Sequence, residues 1–209
     1  VDGENYSPEQ ISSFVLKKLT HDASQNMPMG YDGCVITVPA YFGDAETQAT
    51  LAAAKIAGLN VYGTVQEPVA AAINYGCDKS DKDEDVIVYD LGGGTFDVSA
   101  VSFSHGEGSK NIEVVCNQGD KNLGGGDWDA AIVAYLKDEF CDKTGADEDV
   151  FDEYAEQQLQ GEAEKLKFAL TSKDNANAVL NFTGRPQKIG LTIDDFNDMT
   201  ADLLSRTID

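Results

Sequence analysis

The segment Asp90-Leu91-Gly92-Gly93-Gly94-Thr95-Phe96-Asp97 combines the residue types that a metal–phosphate site needs. A buried strand, expected over Asp85 to Tyr89, delivers one carboxylate to a glycine turn, and a second carboxylate follows on the return strand. Three successive glycines let the backbone approach a ligand without Cβ obstruction, and their N–H groups can form an anion-binding concavity. Asp90 and Asp97 are suited to hold Mg²⁺ through its waters, and Thr95 adds a hydroxyl at the turn. Taken alone, a glycine-rich hairpin turn with an Asp at its strand end is as often purely structural.

A second copy strengthens the reading. Leu123-Gly124-Gly125-Gly126-Asp127-Trp128-Asp129 repeats the same plan of leucine, three glycines, an aromatic and an aspartate, but leads into a helix. Two glycine turns of this kind suit one shared ligand. The helix that follows would aim its positive end at a phosphate, although capping by Asp127 and Asp129 is the simpler account of this copy by itself. In Gln66-Glu67-Pro68 a carboxylate stands before a rigid proline, placed to orient a water or a metal. A Glu favoured at a helix start by the macrodipole explains it equally. Glu164 and Lys167, at i and i+3 with Thr171 a turn further, suit contact with a nucleoside or form a solvated salt pair. Neither glycine run carries the Lys-Ser/Thr of a Walker loop or the G-x-G-x-x-G dinucleotide fingerprint.

The elements that must position these residues alternate. Ser7-Pro8-Glu9-Gln10 is a capping-box start with proline at the first helical position, and Ile11, Phe14, Val15 and Leu19 then share a face, predicting a helix over about 8–20. Cys34 to Val38 reads as a buried strand ended by Pro39, and Asp44 opens an Ala-rich helix that stops at Gly58. A strand follows over Asn60 to Val65, then a short helix from Pro68. The charged stretch between Cys77 and Asp85 reads as an exposed connection, where the main division is expected. Asp85 to Tyr89, Thr95 to Phe103 and Ile112 to Cys116 predict an antiparallel meander, turned by the glycine triplet and by Gly106-Glu107-Gly108. Ile132, Val133, Leu136 and Phe140 mark one later helix and Leu159, Leu166 and Leu170 another. Strands near 177–182 and 187–193 precede a single last helix carrying Phe196, Met199 and Leu203. Hairpins mixed with crossover units predict a mixed sheet in an α/β protein.

Composition narrows the function. In 209 residues, 37 acidic against 15 basic side chains leave a net charge of −22, which repels nucleic-acid backbones and anionic membrane surfaces. Such acidity also suits a high-salt interior. Only Arg185 and Arg206 carry guanidinium groups, so a phosphate must be held mostly by backbone N–H, Lys or a metal ion. No apolar run approaches the ~20 residues of a membrane span. Cys34, Cys77, Cys116 and Cys141 form no C-x-x-C pair and His21 and His105 have no nearby ligand partner, which predicts four reduced, largely buried thiols in a cytoplasmic protein. A start at Val1, without a Met or the plan of a signal peptide, predicts a chain that begins mid-protein.

Val35-Ile36-Thr37-Val38-Pro39-Ala40-Tyr41-Phe42, Ile56 to Val61, Glu67-Pro68-Val69-Ala70-Ala71-Ala72 and Asp90 through Ser99 together resemble the signatures of DnaK-type seventy-kilodalton heat-shock chaperones, in order and over nearly the whole chain. The resemblance implies part of an actin-like ATPase (ribonuclease H-like) fold, with an incomplete lobe I over 1–80 and the core meander and helical/hairpin subdomain of lobe II over 81–209. It implies that Asp90 and Glu67 hold the hydrated metal and orient the attacking water, and that Asp97 is a further catalytic carboxylate. Gly92, Gly93, Gly94 and Thr95 then contact phosphates, Gly124 and Gly125 approach them from the other side, and Glu164, Lys167 and Thr171 meet the adenosine. Pro39 matches a hinge that couples nucleotide state to the affinity of a substrate domain. The implied ligands are ATP or ADP with Mg²⁺, and K⁺ as a further cation. The implied partners of the full-length protein are unfolded polypeptides, a J-domain co-chaperone and a nucleotide-exchange factor, with no nucleic acid and no membrane.

The first phosphate loop, the upstream catalytic Lys and the later Gly-rich adenosine segment of that family have no counterpart here, so this stretch alone is expected to be inactive. Thr47, Gly63 and Gly126 stand where many members carry an Arg, a basic residue and a Glu, and Phe168 where some place an Arg against adenine. Two alternatives accompany this reading. One is a divergent regulatory paralogue that binds nucleotide without efficient turnover; the other is a different actin-like ATPase, such as a sugar kinase or filament protein.

Overall fold

A computed structural model describes residues 3–27, 29–76, 82–106 and 109–208. The chain forms two compact units. One comprises residues 1–89 and 98–118, the other 90–97 and 119–209.

The first unit opens with helix α1, Pro8–Gln25. The Ser7 hydroxyl accepts the Gln10 N–H at 3.3 Å and the Gln10 side chain accepts the Ser7 N–H at 2.8 Å, the reciprocal cap that the sequence predicts. α1 lies against α2, Asp44–Ala57, which ends at Gly58 in the left-handed conformation (φ 81°). α2 is the crossover between β1, Cys34–Val38, and β2, Val61–Gln66, which pair in parallel as a βαβ unit. Helix α3, Glu67–Tyr75, follows β2 without a break. Strands β3, Glu84–Leu91, β4, Phe96–Gly106, and β5, Ser109–Asp120, are neighbours in that order. Their connections are too short for a parallel crossover, so they form the predicted meander. Ala72 of α3 is buried against Val101 and Phe103 of β4, with Val86, Val88, Ile112 and Val114 around them.

The second unit is built on α4, Gly125–Thr144, and α5, Glu153–Leu170, joined through a 3-10 turn at Glu148–Val150. Strands β6, Asn175–Leu180, and β7, Gln187–Thr192, form an antiparallel hairpin. Ile132, Leu136 and Phe140 of α4, Leu159, Ala163 and Leu166 of α5, and Ala178, Leu180, Ile189 and Leu191 of the hairpin form one buried cluster. Phe140, Phe151 and Phe182 meet edge to face with centroids 5.2 to 6.0 Å apart.

Several expectations need correction. The sheets are small and separate, a parallel pair, a meander and an antiparallel pair, where one mixed sheet was expected. The single last helix is two, α6, Ile193–Met199, and α7, Ala201–Ser205. At the break Thr200 leaves helical geometry (φ −114°, ψ 9°) and its hydroxyl donates to the Phe196 carbonyl at 2.8 Å, a back-bond that competes with helix continuation. None of the three described thiols is fully buried. Cys116 is exposed, past the stretch of β5 where Ile112 and Val114 meet the core, while Cys34 and Cys141 are half-buried. Cys77, residues 78–81 of the charged connection, and Glu107 and Gly108 of the second hairpin turn lie outside the described residues. Among the described residues no helix is long and apolar enough to cross a membrane.

Phe140 is fully buried at the centre of the second unit's core. Phe140→Ala is expected to destabilise this unit by about 3–5 kcal/mol, read from urea denaturation followed by circular dichroism.

Candidate functional site

The two glycine turns belong to the second unit and are bonded to each other. In the first, between β3 and β4, the Gly92 N–H donates to the Thr95 carbonyl at 2.8 Å and closes the hairpin. In the second, Gly124 precedes α4, whose first N–H groups would otherwise lack acceptors. Two of these find them across the gap: Gly125 N–H donates to the Gly92 carbonyl and Gly126 N–H to the Gly93 carbonyl, each at 2.8 Å. Asp127 turns back to accept the Gly124 N–H at 2.8 Å. The approach is too close for side chains, since a Cβ on Gly124 would lie 2.3 Å from the Gly94 nitrogen and 2.5 Å from the Gly93 carbonyl carbon. Gly93 and Gly94 themselves are exposed, a Cβ on either would meet nothing within 4 Å, and none of these bonds uses their N–H groups.

Asp90, exposed at the end of β3, and Asp97, half-buried at the start of β4, flank the first turn. Burial pushes the Asp97 carboxyl above the ordinary carboxylate range, the charge of Asp90 adds to the rise, and Lys121 opposes it. Beside this pair β5 passes so closely that a Cβ on Gly119 would lie 2.2 Å from the Phe96 carbonyl oxygen and 2.9 Å from Asp97 Oδ1. Arg206 fixes the chain that leads into the second turn. Its Nη2 donates to Asp120 Oδ2 at 2.6 Å and to the Asn122 carbonyl at 3.3 Å, and this contact holds the Asp120 carboxyl below its usual range.

On α5, Lys167 is turned toward the second turn: its Nζ donates to the Gly125 carbonyl at 2.9 Å and to Asp129 Oδ2 at 2.7 Å. Glu164 is exposed one turn earlier, and Thr171, the C-cap, donates its hydroxyl to the Phe168 carbonyl at 2.7 Å. Among the predicted residues, then, Gly92–Thr95, Gly124, Gly125 and Lys167 are interlocked, Asp90 and Asp97 flank them, and Glu164 and Thr171 share the helix of Lys167. Glu67 lies in the first unit as the first residue of α3, with Gln66 as N-cap and Pro68 buried behind it. The paired strands β1 and β2 end together at Val38 and Gln66, so Pro39 and Glu67 are the residues that leave the carboxyl edge of a parallel pair, where α/β sheets bind ligands. Sequence reasoning missed Gly119, the Arg206 clamp and the partner of Lys167. The rarity of arginine was the one local signal for the clamp.

The chain is mixed α/β and docks two glycine turns beside an acidic pair. A family model described as Hsp70 protein matches residues 1–209, and the chain belongs to the Hsp70 family. The actin-like ATPase fold follows from that membership. Hsp70 proteins are chaperones and ATPases that bind ATP and ADP with Mg²⁺ and act on unfolded polypeptides. The residues present fit such a ligand. Among the described residues no group of three or more His, Cys, Asp or Glu is placed to hold a metal, but a Mg²⁺ carried by phosphates and waters needs only one or two carboxylates. A cation would relieve the repulsion between Asp90 and Asp97, and the space open beside Gly93 and Gly94 would accommodate a phosphate.

Two outcomes follow. Gly124→Ala is expected to part the turns and cost about 1–3 kcal/mol, whereas Gly93→Ala and Gly94→Ala stay within about 1 kcal/mol of wild type in the same denaturation assay. For Asp97, a folded-state pKa above the unfolded one means that the ionised carboxylate opposes folding, with a penalty that grows as pH rises through the ordinary carboxylate range and is complete above the raised value. Asp97→Asn is therefore expected to stabilise the protein at neutral pH, with the gain vanishing in acid, as followed by thermal melts across pH.

Proposed function

We propose that the chain is a fragment of the ATP-binding and ATP-hydrolysing domain of a DnaK-type chaperone, which couples nucleotide state to the binding of unfolded polypeptides. The observation that carries the reading is the pair of interlocked glycine turns flanked by Asp90 and Asp97. Bound Mg²⁺ would neutralise charge on the phosphates and lower the cost of attack by water. In this reading Asp90 and Glu67 hold the metal's waters and orient the attacking one, and Asp97, with its raised proton affinity, takes part in proton movement. Gly93, Gly94 and Thr95 receive the terminal phosphates on backbone N–H and hydroxyl groups, Gly124 and Gly125 form the opposite wall, and Glu164, Lys167 and Thr171 border the nucleoside. K⁺ would supplement Mg²⁺. J-domain co-chaperones and nucleotide-exchange factors would act on the full-length protein in the cytoplasm, a compartment consistent with unpaired thiols at Cys34, Cys116 and Cys141.

The test is Mg²⁺-dependent ATP hydrolysis by the full-length protein at matched salt. Asp90→Asn and Glu67→Gln are each expected to lower kcat about a hundredfold while circular dichroism stays unchanged. Wild-type turnover in both variants would sink the carboxylate assignments. Tight nucleotide binding without turnover in the wild type would favour a regulatory switch.

A further inference from the structure

Asp129 is the one carboxylate near the second glycine turn that has been drawn into the interior, being 8% exposed. Only one of its oxygens is used. Oδ2 accepts from Lys167 at 2.7 Å, while Oδ1 is buried without a hydrogen-bond partner. An orphaned buried oxygen lowers stability, and an apolar side chain at this place on α4 would carry no such cost. What the carboxylate does achieve is the anchoring of a cation. The Lys167 ammonium has three N–H donors, of which one goes to Asp129 and one to the Gly125 carbonyl at 2.9 Å. Gly125 is thus gripped from both sides, its N–H by the Gly92 carbonyl at 2.8 Å and its carbonyl by Lys167. The contact is tight, since a Cβ on Gly125 would stand 3.3 Å from Lys167 Nζ.

From this chain of contacts we infer that Asp129 is a positioning residue for the nucleotide: it pins the Lys167 ammonium to the second glycine turn, which fixes that turn against the first and leaves one ammonium proton for the nucleoside part of the ligand. The inference rests on the nucleotide reading above. It assigns Asp129 a role through Lys167, not a contact with the ligand. Because the pair is internally neutral, Lys167 acts by direction more than by net charge, and placement is what Asp129 supplies.

The experiment is a calorimetric titration of the full-length protein with MgADP, for wild type, Asp129→Asn, Lys167→Met and the double variant, each held well below its melting temperature. Asp129→Asn and Lys167→Met are each expected to weaken binding about tenfold, and the double variant by no more than either single, since both remove the same placement. In ATP hydrolysis the loss should fall on KM. Variants that melt earlier but keep the wild-type Kd would reduce the pair to a structural strut and overturn the inference, leaving the nucleotide reading intact. Additive losses, about a hundredfold in the double variant, would overturn action through Lys167. A wild-type protein that binds no MgADP would remove the nucleotide reading itself, and the inference with it.

Discussion

Two backbone carbonyls, those of Gly92 and Gly93, accept the first N–H groups of helix α4, and the placement of the two glycine turns depends on that contact. It satisfies helix-end donors that would otherwise need water, so it contributes to folding as well as to the site. It also requires backbone against backbone, because Gly124 leaves no space for even a methyl group beside Gly93 and Gly94. The repeated glycine motif therefore serves two ends. Gly124 allows the turns to touch, whereas Gly93 and Gly94 pack against it on one side and are open only where a Cβ of their own would point.

Around this contact the charges are arranged unequally. In a chain of net charge −22, two cations near the turns are committed to particular acceptors: Lys167 to Asp129 and Gly125, Arg206 to Asp120 and Asn122. Asp90 and Asp97 are left repelling one another at the first turn, with Lys121 offsetting part of the strain. That residual repulsion opposes folding, and a cation placed between the two carboxylates would relieve it. Anchored cations hold the frame, and at the acidic pair the offset by Lys121 is only partial.

The features legible in the sequence are those whose causes are local. The cap at Ser7, the stop at Gly58, the strand ended by Pro39 and the hairpin at Gly92–Gly94 depend on residues a few positions apart, and the structure places each where the local rule predicts. The glycine motifs and the acidic residues beside them could be picked out for the same reason. Contacts between distant residues were not legible. The Lys167–Asp129 pair spans 38 positions and Arg206–Asp120 spans 86, and nothing in the surrounding residues announces either. Gly119 gave no signal because its need for a missing side chain comes from the neighbouring strand. Thr200 breaks a helix whose apolar spacing runs on through it, a case where a hydroxyl's bond to the backbone overrides periodicity.

The two turns are also separated in time. A ribosome makes Gly92–Gly94 before it makes Gly124–Gly126, and the first turn enters its compact unit as an eight-residue stretch, Asp90–Asp97, joined to a body that begins only at Gly119. Until α4 has emerged and offered its N–H groups, the carbonyls of Gly92 and Gly93 have no helix to receive and the hairpin tip is not fixed. The first turn is thus written early and set late. A nascent chain cannot present the finished pair of turns to a nucleotide until synthesis has passed well into the second unit.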